Sequence, residues 1–247
     1  MKNLSKILVF TVLSVFLMAG SAMAVPSTLH DITGIAGTQG YTDTGAESVY
    51  LTHTANANTD ATAFLFFEFA GWANTNTFGI YDFTIDEYGT ITVGDTLEVF
   101  NGGVSPLDSA TLQWDLHAGT VTNQGTSASA DIDTTFGFYL ATVGNNNYPA
   151  ATWYTHTALN VEADGVARDH VMLFDTTDNS VGGLLGSDVV LAFEDLDISI
   201  GSDLDFGDMV VGVSDVAPVP EPATMLLLGS GLVGLAGFGR KKFFKKG

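Results

Sequence analysis

Cysteine is absent from the 247 residues. That excludes disulfides and every Cys-based zinc or iron–sulfur site. For an exported protein that leaves room for another stabiliser, and a bound metal is one candidate. Basic residues are almost as scarce through most of the chain. Of the 8 Lys+Arg, Lys2 and Lys6 lie at the start, and Arg240, Lys241, Lys242, Lys245 and Lys246 at the end. Between them Arg168 stands alone against 27 of the 28 Asp+Glu in residues 25–220, a net charge of 1 − 27 = −26 with His neutral. Such a span cannot neutralise phosphates, so nucleic acid is excluded as a partner. It is disfavoured on anionic lipid and concentrates cations instead. No Gly-x-Ser-x-Gly elbow is present. With so many carboxylates, no one pair stands out for glycoside hydrolysis. The chain is therefore not read as an enzyme.

The two ends read as addresses. Met1-Lys-Asn-Leu-Ser-Lys6 is followed by an apolar run, Ile7 to Met18, and then by Ala22-Met23-Ala24. Charge, apolar run and small-x-small site in that order predict a secretory signal peptide over residues 1–24. At the other end a linker, 216–222, carries Pro220, Glu221 and Pro222. An uncharged span, 223–239, and a basic tail, 240–247, follow it. The span is near the lower limit for a transmembrane helix. The basic cluster marks its cytoplasmic end, which places the acidic residues 25–215 outside.

The order Pro-Glu-Pro, short span, basic tail resembles the PEP-CTERM sorting signal of Gram-negative bacteria. The resemblance implies recognition by an exosortase, a membrane-embedded cysteine protease/transpeptidase. It also implies transient anchoring in the inner membrane through residues 223–239. Release to the cell surface or the exopolysaccharide (biofilm) matrix would follow. A simple stop-transfer anchor is the alternative.

The middle alternates with a period of two and is rich in Thr, Val, Phe and Tyr. Strands are predicted at 48–53, 63–69, 78–85, 90–93, 96–100, 111–116, 136–143, 152–157, 170–174, 189–193 and 209–213. Turns are predicted at Asn101-Gly102-Gly103, 145–149 and 175–179. Residues 60–69 are largely apolar and read as a central strand covered on both faces. Residues 25–45 read as an edge segment or a loose arm. No amphipathic helix of 12 residues is read outside the two ends. The expected fold is all-β: a single antiparallel β-sandwich, jelly-roll-like.

Chemistry concentrates in Leu191-Ala-Phe-Glu194-Asp195-Leu-Asp197 and Gly201-Ser-Asp203-Leu-Asp205-Phe-Gly207-Asp208-Met209. A strand delivers Glu194 and Asp195, a loop presents Asp203 and Asp205, and Asp208 opens the next strand. In extended backbone Asp203 and Asp205 share a side, and Gly207 is placed to bend Asp208 back. Ca²⁺ suits such a set, because it takes 6–8 oxygens at flexible geometry. Transition metals favour His, and none is near in sequence. The spacing is not that of an EF-hand. A solvated acidic hairpin is the other reading.

The phrases Phe193-Glu194-Asp195 and Asp203-x-Asp205-Phe206-Gly207-Asp208 also resemble the hallmark of an uncharacterised extracellular β-domain family found ahead of PEP-CTERM tails. Further matches are Asn76 to Asp82, Phe136 to Tyr139, and Trp153-Tyr154 leading to Asp169-His170. Gly207 stands where that pattern has Asn. The resemblance implies a calcium site at Glu194, Asp195, Asp203, Asp205 and Asp208, and it implies no reaction. The expectation is a calcium-stabilised structural or adhesive protein. A carbohydrate-binding module is the alternative and an extracellular hydrolase a more distant one. His53 and His156, flanked by Thr, read as exposed strand positions. Trp72, Trp114 and Trp153 read as core ahead of a sugar platform. Asp169-His170 could pair or sit beside the calcium site.

Overall fold

The computed structural model describes residues 25–54, 58–68, 75–144, 148–178 and 181–220. The predicted signal peptide, the 223–239 span, the basic tail, Glu221, Pro222 and Trp72 lie outside them.

Thirteen strands carry the described chain: β1 (Val49–Leu51), β2 (Asn58–Glu68), β3 (Thr77–Ile85), β4 (Ile91–Phe100), β5 (Ser109–Asp115), β6 (Thr120–Asn123), β7 (Ser129–Ala130), β8 (Thr135–Thr142), β9 (Ala151–Tyr154), β10 (Val171–Asp175), β11 (Val189–Phe193), β12 (Met209–Val213) and β13 (Val216–Pro218). One antiparallel sheet runs β13-β1-β8-β3-β4, with β9 also on β8; the other runs β10-β11-β12-β2-β5-β6-β7. The chain passes back and forth between the sheets.

The sheets face each other as the β-sandwich that the alternation predicts. Phe78 meets Phe193 edge-on across the interface with ring centroids 5.9 Å apart, and Trp114 stacks on Phe136 at 5.1 Å. Each such ring, fully buried, contributes roughly 1.5–3 kcal/mol. The Trp114 indole N–H donates to the Ile132 carbonyl at 3.1 Å, so its polar edge is satisfied inside the core.

β11 and β12 have every residue buried. Their outer face is covered by a second apolar cluster of Leu29, Met172, Phe174, Leu184, Val190, Ala192, Phe206 and Val210. Residues 25–45 supply part of that cover, where an edge or loose arm was expected. Within them α1 (Leu29–Thr33) is closed by a capping box between Thr28 and Asp31, and Gly34 ends it at φ 65. One turn is too short for a helical period to show in sequence, but its Leu29 is fully buried.

Three further boundaries differ from the sequence reading. The strands expected at 90–93 and 96–100 are one strand, β4, with register shifts against β3 that mark bulges. The small strands β6 and β7 extend the second sheet. Residues 216–218, assigned to a linker, pair with β1. Asp215 at φ 61 turns the chain inward, and Val216 is fully buried.

Candidate metal centre

β11 and β12 are antiparallel neighbours with Phe193 opposite Met209. The loop 194–208 joins them at one end of the sandwich. Glu194 and Asp195 leave β11 directly, and Asp208 enters β12 beside them. The Asp208 N–H donates to the Phe193 carbonyl at 3.2 Å, and the Asp195 N–H to Asp208 Oδ2 at 2.9 Å. Hairpin register thus brings Asp208 to the adjacent pair Glu194 and Asp195 from 13 residues along the chain.

Between them the loop turns sharply. Leu204 and Phe206 adopt left-handed φ values of 61° and 53°, a conformation costing non-glycine residues roughly 1–2 kcal/mol each. Phe206 offsets this by burying its ring in the outer cluster. The bends lie there and not at Gly207, and Asp203 and Asp205 do not share an extended segment. Gly207 has a different use: its N–H donates to Asp205 Oδ1 at 2.7 Å, and a Cβ there would lie 3.0 Å from that oxygen.

The five acids fall into two groups. Glu194, Asp203 and Asp205 form one, and Glu194, Asp195 and Asp208 the other; within each, the ligand atoms lie within 4.8 Å of one another. Two oxygens on opposite sides of one Ca²⁺ are at most about 5 Å apart, given bonds of 2.3–2.6 Å. Glu194 is 1% and Asp195 4% exposed. Asp208 is half-buried, while Asp203 and Asp205 face solvent. Burial raises the pKa of Glu194, Asp195 and Asp208 from their ordinary values, and the neighbouring acids add to the shift.

Two acceptors here are unanswered among the described residues: Glu194 Oε2 and Asn76 Oδ1. Asn76 is fully buried just ahead of β3, a strand of the opposite sheet, and its Nδ2 donates to Asp195 Oδ2 at 3.1 Å. Burying an acceptor with no partner costs on the order of 1–3 kcal/mol, more for a carboxylate. A cation would answer the Glu194 oxygen, since every atom grouped with it is a hard oxygen donor.

A rigid brace backs Glu194. Its N–H donates to the His170 carbonyl at 2.9 Å, and His170 Nδ1 lies 3.1 Å from the Glu194 carbonyl oxygen. The other ring nitrogen meets Glu162 Oε1 at 2.9 Å, which also accepts from the Ile198 N–H at 2.8 Å. Arg168 pairs with Glu162 and with Asp164. Trp153 stacks on His170 at 3.6 Å, and its indole N–H donates to the Asp195 carbonyl at 2.8 Å. Burial lowers the His170 pKa, with the Glu194 carbonyl and the Glu162 carboxylate opposing it. The one base of the span therefore serves this network.

Sequence reasoning missed Asn76 as a site residue and Glu162 as a brace. Asn76 stood in a quoted motif but is joined to the site only across the sandwich. Glu162 sits in an irregular segment with no spacing signal. His156, expected on an exposed face, is 3% exposed against Phe83 and Tyr81, whereas His53 is exposed. Trp114 and Trp153 are both buried, in keeping with the core reading.

No described helix is long and apolar enough to cross a membrane. Residues 218–241 match the PEP-CTERM protein-sorting motif. No curated protein and no solved structure matches the chain. The motif match begins at Pro218, the last residue of β13, so the sorting signal follows the folded sandwich almost at once. It marks the chain as an exported protein that an exosortase processes.

Proposed function

We propose that this protein is a calcium-stabilised structural or adhesive component of the cell surface or exopolysaccharide matrix, without catalytic activity. The sorting motif supports the destination. The observation that carries calcium is Glu194: a carboxylate 1% exposed, one oxygen unanswered among the described residues, shared by two acidic groups. A solvated acidic hairpin would turn that side chain outward. Calcium clips the end of β11 to the start of β12 and holds the loop between them.

Thermal melting tests this. At a hundredfold excess over Kd, calcium stabilises by about 2.7 kcal/mol. For a chain of this size that is a rise of roughly 5–10 °C over EDTA. Equal melting temperatures in EDTA and in millimolar calcium would refute it.

One observation favours a carbohydrate-binding reading. A pocket of about 300 Å³ opens beside the site, lined by Tyr148, Thr152, Glu162, Asp195 and Asp197. Trp153 also borders it, but stacks on His170 and offers little face to a sugar. A glycan array in calcium separates the readings: a saturable hit lost in EDTA supports sugar binding, and a blank array supports the structural role.

A further inference from the structure

The acidic loop was read as one calcium site, yet its carboxylates do not gather around one point. Asp203 and Asp205 group with Glu194 on the solvent side, and Asp195 and Asp208 group with Glu194 on the buried side. We propose that the loop 194–208 holds two calcium ions bridged by the Glu194 carboxylate, an inner ion with Asp195 and Asp208 and an outer ion with Asp203 and Asp205. This rests on the calcium reading above and extends it.

Three observations converge. The first is separation: each triad has the span that a single ion's ligand shell allows, and the five oxygens together do not form one such group. The second is charge. Five carboxylates carry −5; one divalent ion leaves −3 beside a buried Glu194, and two leave −1. The third is the unanswered Oε2 of Glu194, nine-tenths buried and more, on the one side chain common to both groups. A carboxylate has two oxygens and can give one to each ion.

The inner site has a further oxygen at hand. Asn76 already touches Asp195 through Nδ2, and its free Oδ1 belongs to the same amide group. A neutral amide oxygen adds coordination without adding charge. The outer site has none of this enclosure, so water completes it, and its ion is the weaker bound. Leu204 and Phe206, each just after one of these two aspartates, take left-handed φ, and Asp203 and Asp205 face solvent.

The test is stoichiometry, measured on the whole chain by equilibrium dialysis against calcium at fixed ionic strength and by native mass spectrometry. The expected result is two ions per chain, released in two steps at least tenfold apart in concentration. Asp203→Asn with Asp205→Asn should leave one ion and the tighter step; both residues face solvent, so folding is expected to survive. Glu194→Gln should lose both steps. One ion in the parent chain, unchanged by the Asp203/Asp205 double variant, overturns the two-ion arrangement and leaves the calcium reading standing. No bound ion overturns both. A gradual uptake that every variant lowers equally is diffuse surface binding and overturns the bridge as well.

Discussion

Glu194 is a carboxylate placed where water is excluded and one oxygen goes unanswered among the described residues. In the absence of calcium its charge is a liability, because a charge held out of water without a partner is costly. Glu194→Gln is therefore expected to raise the melting temperature in EDTA by about 2–5 °C while abolishing most of the calcium-dependent rise. A variant that melts lower than the parent in EDTA contradicts this. His156 gives a second test at the same scale. Its ring is packed on Phe83 and bonded to the Tyr81 hydroxyl, and burial lowers its pKa below the usual histidine value. The unfolded chain then binds the proton first as pH falls, so stability is full above the unfolded pKa and is lost below it. Against His156→Gln, the parent's stability advantage in denaturant melts should shrink from pH 7 to pH 5; a constant advantage means the ring does not stay neutral.

Pairs of elements show where sequence was legible and where it was not. β11 and β12 begin and end where their apolar runs do, because both faces are buried and polar residues bound each run, Asp188 and Glu194 around β11 and Asp208 and Ser214 around β12. The acidic loop was legible for the same reason: register alone brings Asp195 to Asp208. Asn76 was not, because its link to Asp195 crosses between sheets, and nothing local encodes that crossing. β13 was missed since a Val-Ala-Pro segment next to prolines reads as linker, yet Val216 fills the core. Val216→Ala should cost about 2 kcal/mol in urea melts; a cost near zero would restore the linker. β3 and β8 show a reciprocal device. Gly79 lies opposite Tyr139, and Gly137 opposite Tyr81. A Cβ at either glycine would come within 2.4 Å of the facing ring. Gly79→Ala or Gly137→Ala should therefore destabilise by about 3 kcal/mol, far beyond the few tenths expected of an exposed strand position. Sequence displays the glycines as weak points of a strand, and only pairing reveals them as seats for aromatic rings.

Across the whole molecule, a span with −26 in residues 25–220 repels itself. Any salt should relieve this modestly by screening. A specific site adds more: at matched ionic strength calcium should raise the melting temperature further than sodium, and further than magnesium, whose strict octahedral demand suits this loop poorly. The same acidic surface disfavours docking on anionic lipid and concentrates divalent cations. The most direct measurement is long-wavelength anomalous diffraction from crystals grown in calcium. The account predicts strong peaks within about 2.6 Å of the Glu194 carboxylate, one towards Asp195 and Asp208 and one towards Asp203 and Asp205. A map with no anomalous peak beside Glu194 contradicts it.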